Sequence, residues 1–261
     1  MSAQKQPALF LGHGDPQIAI HDDELTQSLS RMGERIVEVC GAPRGILMMS
    51  AHWYTRGLFV QSAAKPRQVH DMYGFPQELY DVTYPVLGDA ELTEAVCSAL
   101  GSDVSINDDW GIDHGTWTVL VHMFPQADIP VVQISTNALA GMGDAYELGK
   151  RLAFLRDQGF MIAGSGNVVH NLMAVDWSNP NGTPEADFFD TEIARAVRNR
   201  DDRMVLDYQQ LAGADFAVPT PEHFAPLPFV LGASVGEVPV VFNEMRQYAG
   251  ISMTSFAFGL A

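Results

Sequence analysis

Five of the eight histidines stand at junctions between apolar runs, loops and helix starts. His13 ends the run "PALFLGHGDP", and His52 follows "GILMMSA" at once. His170 lies in "GNVVHN" beyond the run "GFMIAGS". His114 sits in "DDWGIDHGTW", beside Asp113, and His223 in "PTPEHFAPL", beside Glu222. Imidazole ligates zinc, iron, copper and nickel, and its proton comes and goes near neutral pH. Ligands gathered from distant segments suit a catalytic metal site, which keeps a position open. A structural finger takes its ligands from one short stretch. One histidine at a strand end is ordinarily a hydrogen-bonded structural residue, so the signal is the recurrence. Gly12 and Gly14 flank His13 and allow a close backbone approach and positive φ, leaving room for metal and substrate; Pro16 stiffens the exit.

The other three histidines read differently. His122 falls inside an apolar helix and reads as packing. His70 belongs to a long loop and reads as exposed, and His21 belongs to the cap region of an acidic helix start. Rival motifs fail: "GHGDPQ" and "GSGNVV" lack the third glycine of a dinucleotide fingerprint, and no H-E-x-x-H or phosphate loop is present. Ser165 has alanine at 163 and asparagine at 167, so no G-x-S-x-G elbow surrounds it. The stretch "AGSGN" offers backbone N–H groups to an anion, a weak signal alone.

Placing five imidazoles together requires strands that end on a common edge. The strand candidates are "PALFLG", "GILMMSA", "LFVQSA", "IPVVQIS", "GFMIAGS", "VPVVFNE" and "SMTSFAFG". Helix candidates cover 23–39, 89–100, 115–124, 144–157, 184–200, 202–212 and 221–233, which puts His223 in the first turn of the last one. Strand and helix patterns alternate, as in an α/β protein. The expected architecture is a three-layer α/β/α sandwich, its mixed sheet partly antiparallel because only a short turn separates the last two strands. The segment 62–85, rich in proline and aromatics, reads as a long loop walling a pocket. In open α/β sheets the ligand crevice lies outside the strand C-termini.

The 261 residues, 47% hydrophobic and 18% charged, fit one large domain or two small ones with no obvious linker, and read as a single domain over 1–261. A formal net charge of −17 disfavours nucleic acid and anionic membranes, and reads as a solubility device. No stretch has the length of a membrane span, and the N-terminus lacks a secretory pattern. Cys40 and Cys97 sit in helical, apolar settings and read as reduced core residues, pointing to the cytoplasm. Asn181-Gly182-Thr183 then reads as a turn rather than a glycosylation site.

Six stretches in order, "FLGHGDP", "SAHW", "YDVTYP", "DHGTW", "GSGNVVHN" and "PEHFAPL", resemble the class III extradiol ring-cleavage dioxygenases, most closely their DOPA-type branch. The resemblance runs over essentially the whole chain and implies the same α/β/α fold. It implies one metal ion per chain, Fe2+ or Zn2+, on His13, His52 and His223. Protocatechuate-type members use a glutamate in the third place, which keeps Glu222 in view. His170 matches a histidine implicated as acid and base, which in some members also approaches the metal. His114 matches a residue near the dioxygen and the substrate oxygens. The implied reactants are a DOPA-like catechol and O2. Zinc has no redox chemistry, so a zinc-loaded form is not expected to activate dioxygen directly.

A carboxylate on the substrate needs a cationic partner, and Arg56, Arg67 and Arg246 remain open for it. Two further readings stay beside the dioxygenase. One is a zinc hydrolase in which Glu222 or His170 serves as base to a metal-bound water. The other is a non-enzymatic metal-binding relative. The partners expected are small molecules, with no nucleic acid and no membrane, and the oligomeric state is open.

Overall fold

The computed structural model describes residues 4–260. Its strands are β1 (Ala8–Gly12), β2 (Gly45–Thr55), β3 (Phe59–Val60), β4 (Ser105–Ile106), β5 (Val131–Asn137), β6 (Phe160–Gly166), β7 (Pro239–Phe242), β8 (Arg246–Gln247), β9 (Ile251–Ser252) and β10 (Ser255–Phe258). Eight of them form one sheet in the order β4-β3-β5-β2-β6-β1-β10-β7, while β8 and β9 pair separately. The middle block β5-β2-β6-β1 is parallel throughout. β10 runs antiparallel to both β1 and β7, and β3 antiparallel to β5.

Burial on both faces explains why the inner strands read as continuous apolar runs rather than as alternating ones. Side chains still alternate by face. Phe10, Leu47, Met49 and Ile162 pack with Leu92, Val96, Ile193 and Phe229 from helices Ala90–Leu100, Pro184–Arg198 and Pro226–Ala233. Leu9, Leu11, Met48 and Met161 pack with Leu29, Ile36, Trp117 and Leu120 from helices Glu24–Cys40 and His114–Met123. The three-layer α/β/α sandwich with a mixed sheet is therefore what forms. Among the described residues, no helix is long and apolar enough to cross a membrane.

Several boundaries differ from the sequence reading. β2 does not stop before His52 but runs on to Thr55, and its register with β5 shifts between Ser50 and Tyr54. Segment 62–85 holds a short helix, Gln77–Tyr80, and is tied to the body by Val69 N–H donating to Ile112 O and Trp117 Nε1 donating to Val69 O. The stretch 202–212 breaks into helix Asp202–Leu206 and a 3₁₀ turn, Tyr208–Gln210. The last helix begins at Pro226, not at 221, so His223 lies on the turn before it. Pro226 and Pro228 have no N–H to give to carbonyls of that turn, and His223 O accepts from Asn167 N instead. β4 and β8, two residues each, fall outside the strand candidates, and the candidate "SMTSFAFG" divides between β9 and β10.

The helix carrying His114 is seated by a close approach. A Cβ at Gly33, inside helix Glu24–Cys40, would strike the carbonyl oxygen of Met123 at the far end of helix His114–Met123. Gly33→Ala should therefore lower the unfolding free energy by about 1–3 kcal/mol. Denaturant titration checks this; an unchanged midpoint would mean that the two helices separate freely.

Candidate metal centre

Because β5, β2, β6 and β1 are parallel, their C-terminal ends share one edge of the sheet, and the histidines follow. His13 directly succeeds β1, His52 lies in the outer part of β2, and His170 is four residues beyond β6. His114 is the first residue of its helix. The turn bearing His223 is held against β6, where a Cβ on Gly166 would collide with His223 O. Asn167 N–H donates to that same oxygen at 2.9 Å.

The five rings meet. Ring centroids lie 4.9 Å apart for His13 and His52, 5.3 Å for His13 and His223, and 5.0 Å for His52 and His223. His114 lies 3.9 Å from His52, and His170 stacks on His223 at 3.5 Å with 9° between the planes. Ligating atoms fall into two groups, His13 with His52 and His114, and His170 with Glu222 and His223, each within 4.8 Å. His13, His114 and His223 are buried; His52 and His170 are half-buried.

The ring nitrogens are tethered from outside. Ser165 Oγ donates to Gly115 O, so toward His13 Nδ1 at 2.9 Å it can only accept. The proton of His13 therefore sits on Nδ1, and its Nε2 presents a lone pair. That Nε2 is 3.0 Å from His52 Nε2. Glu222 Oε1 lies 3.2 Å from His223 Nδ1 and also accepts from Thr220 Oγ1, which leaves His223 Nε2 buried without a partner. Asp71 Oδ1 is 2.9 Å from His114 Nδ1, off the line of a good hydrogen bond, and accepts the His114 backbone N–H at 3.0 Å. Its Oδ2 is 3.3 Å from His52 Nδ1.

Burial first, and then the neighbouring imidazoles, hold His13 and His223 well below the ordinary histidine range. Burial and His114 bring His52 down to about 3, against the pull of Asp71. Burial brings His170 down to about 4, against the pull of Glu222. Burial works against the charge of Asp71, yet contact with His114 and His52 holds it at about 2. The imidazoles of His13, His52, His170 and His223 are thus neutral at pH 7, the form that binds a metal. An unpartnered, buried His223 Nε2 beside the lone pair of His13 is a donor set that a cation satisfies, and the residues present fit a metal ion.

The remaining candidates lie elsewhere. His122 Nε2 meets Ile18 O at 2.7 Å, His70 packs on Trp117 at 5.3 Å, and His21 is exposed at the end of the 3₁₀ turn Pro16–Ile20. Gly14 does take positive φ, at +55°, but the neighbour that needs the glycines is Met253: a Cβ on Gly12 would lie 2.7 Å from its backbone. Arg246 is spent on Asp187 and Asp190, and Arg67 on the carbonyls of Asp109 and Trp110; Arg56 is exposed just beyond β2. The sequence reading missed Asp71 and the tie of Ser165 to His13. The only signal for Asp71 was its place beside His70.

Comparison with known proteins agrees with this geometry. Over residues 7–259 the chain matches the family model described as the catalytic LigB subunit of aromatic ring-opening dioxygenase. It is 38% identical over 266 residues to 4,5-DOPA dioxygenase extradiol of Escherichia coli K12, covering 99% of this chain and 97% of that one. It is 35% identical over 231 residues to 4,5-DOPA dioxygenase extradiol of Beta vulgaris, covering 86% and 85%. The crystal structure of an uncharacterized Escherichia coli K12 protein superposes with a TM-score of 0.84 at 35% identity, over 97% of this chain and all of that one. With the sheet edge, the gathered imidazoles and these matches all in agreement, the chain belongs to the family of the catalytic LigB subunit of aromatic ring-opening dioxygenase.

Proposed function

We propose that the chain acts as one catalytic domain, a metal-dependent extradiol dioxygenase that opens the ring of DOPA-like catechols with O2. The observation that carries this reading is the meeting of His13, His52 and His223, with rings within 5.3 Å of one another and a buried, unpartnered nitrogen among them. These three side chains would hold the ion. Glu222 braces His223 through Nδ1 rather than replacing it. Ferrous iron bound there would make catechol hydroxyls more acidic and would supply the redox chemistry that dioxygen requires. Zinc fits the same nitrogens without the redox chemistry.

His170 takes the proton. Lone pairs lie in the ring plane, so two rings stacked 3.5 Å apart and nearly parallel do not both aim at one ion. With His223 as ligand, His170 is left free beside the centre, neutral at pH 7 and able to accept from a catechol hydroxyl. His114 faces the same space and is placed to hydrogen-bond substrate oxygens. Arg56 is the one of the three arginines not engaged by the contacts described above, and it is the partner for a substrate carboxylate.

Metal-free protein loaded anaerobically with ferrous iron, given DOPA and then air, should take up oxygen and form a yellow ring-opened product; tight metal binding with no product from any catechol would refute the assignment. His170→Ala should lower kcat by about 10²–10⁴-fold while metal content holds, whereas equal loss of both would make His170 a ligand. Acid should destabilise the metal-free chain. Unfolded histidines take up protons near pH 6.5, while folded His170 and His52 do so only at about 4 and about 3. The unfolded state thus binds more protons in that window, so stability is full above about 6.5 and falls as pH drops toward 4. Denaturant midpoints across that range measure it, and a flat profile would contradict the neutral cluster.

A further inference from the structure

Two protonation patterns are open to His52. With the proton on Nε2, it donates to the lone pair of His13 Nε2 at 3.0 Å, and the pair is satisfied with no metal. With the proton on Nδ1, two lone pairs face each other, and only a cation between them is favourable. The charged group beside Nδ1 is Asp71 Oδ2, at 3.3 Å, an ion-pair contact rather than an aligned hydrogen bond, and its negative charge bears on which pattern holds. A carboxylate accepts and does not donate. A lone pair on Nδ1 facing it is repelled; a proton there is attracted.

We propose that Asp71 is a positioning residue that selects the metal-binding protonation pattern of His52, holding the proton on Nδ1 so that Nε2 is free for the ion instead of donating to His13. The inference rests on the reading of His52 as a ligand. Asp71 can do this because its other oxygen is fixed. Oδ1 accepts the backbone N–H of His114 at 3.0 Å and lies 2.9 Å from the His114 ring. The loop carrying it is pinned by Val69, whose carbonyl accepts from Trp117 Nε1 and whose N–H donates to Ile112 O. Segment 62–85 therefore sets the state of a ligand on β2.

The fixed oxygen makes Asp71→Asn a sharp test. The His114 N–H demands an acceptor, so the amide oxygen takes the Oδ1 place and the NH2 group faces His52 Nδ1. His52 must then accept on Nδ1 and carry its proton on Nε2. Ring 15N shifts of histidine-labelled, metal-free protein should show His52 protonated on Nδ1 in the wild type and on Nε2 in Asp71→Asn. Affinity for Zn2+ alone, by chelator competition, should fall about 10–100-fold in the variant, with the thermal midpoint showing that it is folded. A wild-type His52 already protonated on Nε2 overturns the proposal, and so does a variant with unchanged shifts and zinc affinity. The wild-type spectrum decides the first point even if the variant does not fold. Zinc binding and 15N shifts as expected, with no oxygen uptake on any catechol, refute the dioxygenase reading and uphold this one.

Discussion

Five imidazoles share one space, with centroid separations from 3.5 to 5.7 Å among the contacting pairs. Such crowding is tolerable only if the rings stay neutral, because each added charge would be buried beside others of its sign. A neutral imidazole has one N–H and one lone pair, so the question becomes which way each points. Ser165 takes the N–H of His13, Glu222 that of His223, and Asp71 stands at the Nδ1 side of both His52 and His114. Where the N–H is directed outward, as at His13 and His223, the lone pair is left inward. A cavity lined that way repels itself until a positive charge enters, so the cluster is poor as a packing core and apt as a metal site.

The parallel block brings the rings together, and the C-terminal strands close the arrangement. Gly12 N–H donates to Ser255 Oγ, and Met253 packs against Gly12 and Gly14, so the turn holding His13 is clamped by the return of the chain. Asn167 Nδ2 donates to Ser252 O, tying the segment after β6 to the same strap. Asp190, buried on helix Pro184–Arg198, accepts from Ser252, Thr254 and Arg246. Burying a carboxylate costs free energy that such hydrogen bonds offset. Arg246 is thereby committed to holding the strap.

How far this was legible follows from what kind of signal each feature leaves. Inner strands buried on both faces leave long apolar runs, so β1, β5 and β6 could be found within two residues, and the histidines after β1 and β6 fell at their ends. Two-residue strands such as β4 and β8 leave no pattern, since their pairing is fixed by neighbours distant in sequence. The start of the last helix was misread because "PEHFAPL" has a helix-like mix of residues, while its prolines withhold the N–H groups that a helix through His223 would need. Gly12 and Gly14 were rightly suspected of a close approach, but the neighbour is Met253, which sequence spacing could not identify.

Asp71 was invisible for a different reason. A ligand such as His13 declares itself by type, since histidine is uncommon and its place after an apolar strand is odd. An aspartate in a loop is ordinary, and loops have no period from which to read direction. Only the fold shows that segment 62–85 returns to the sheet edge, where one carboxylate oxygen is held by a backbone N–H and the other faces a ring. A change in this segment that shifts residue 71 therefore alters the surroundings of His52 and His114 together.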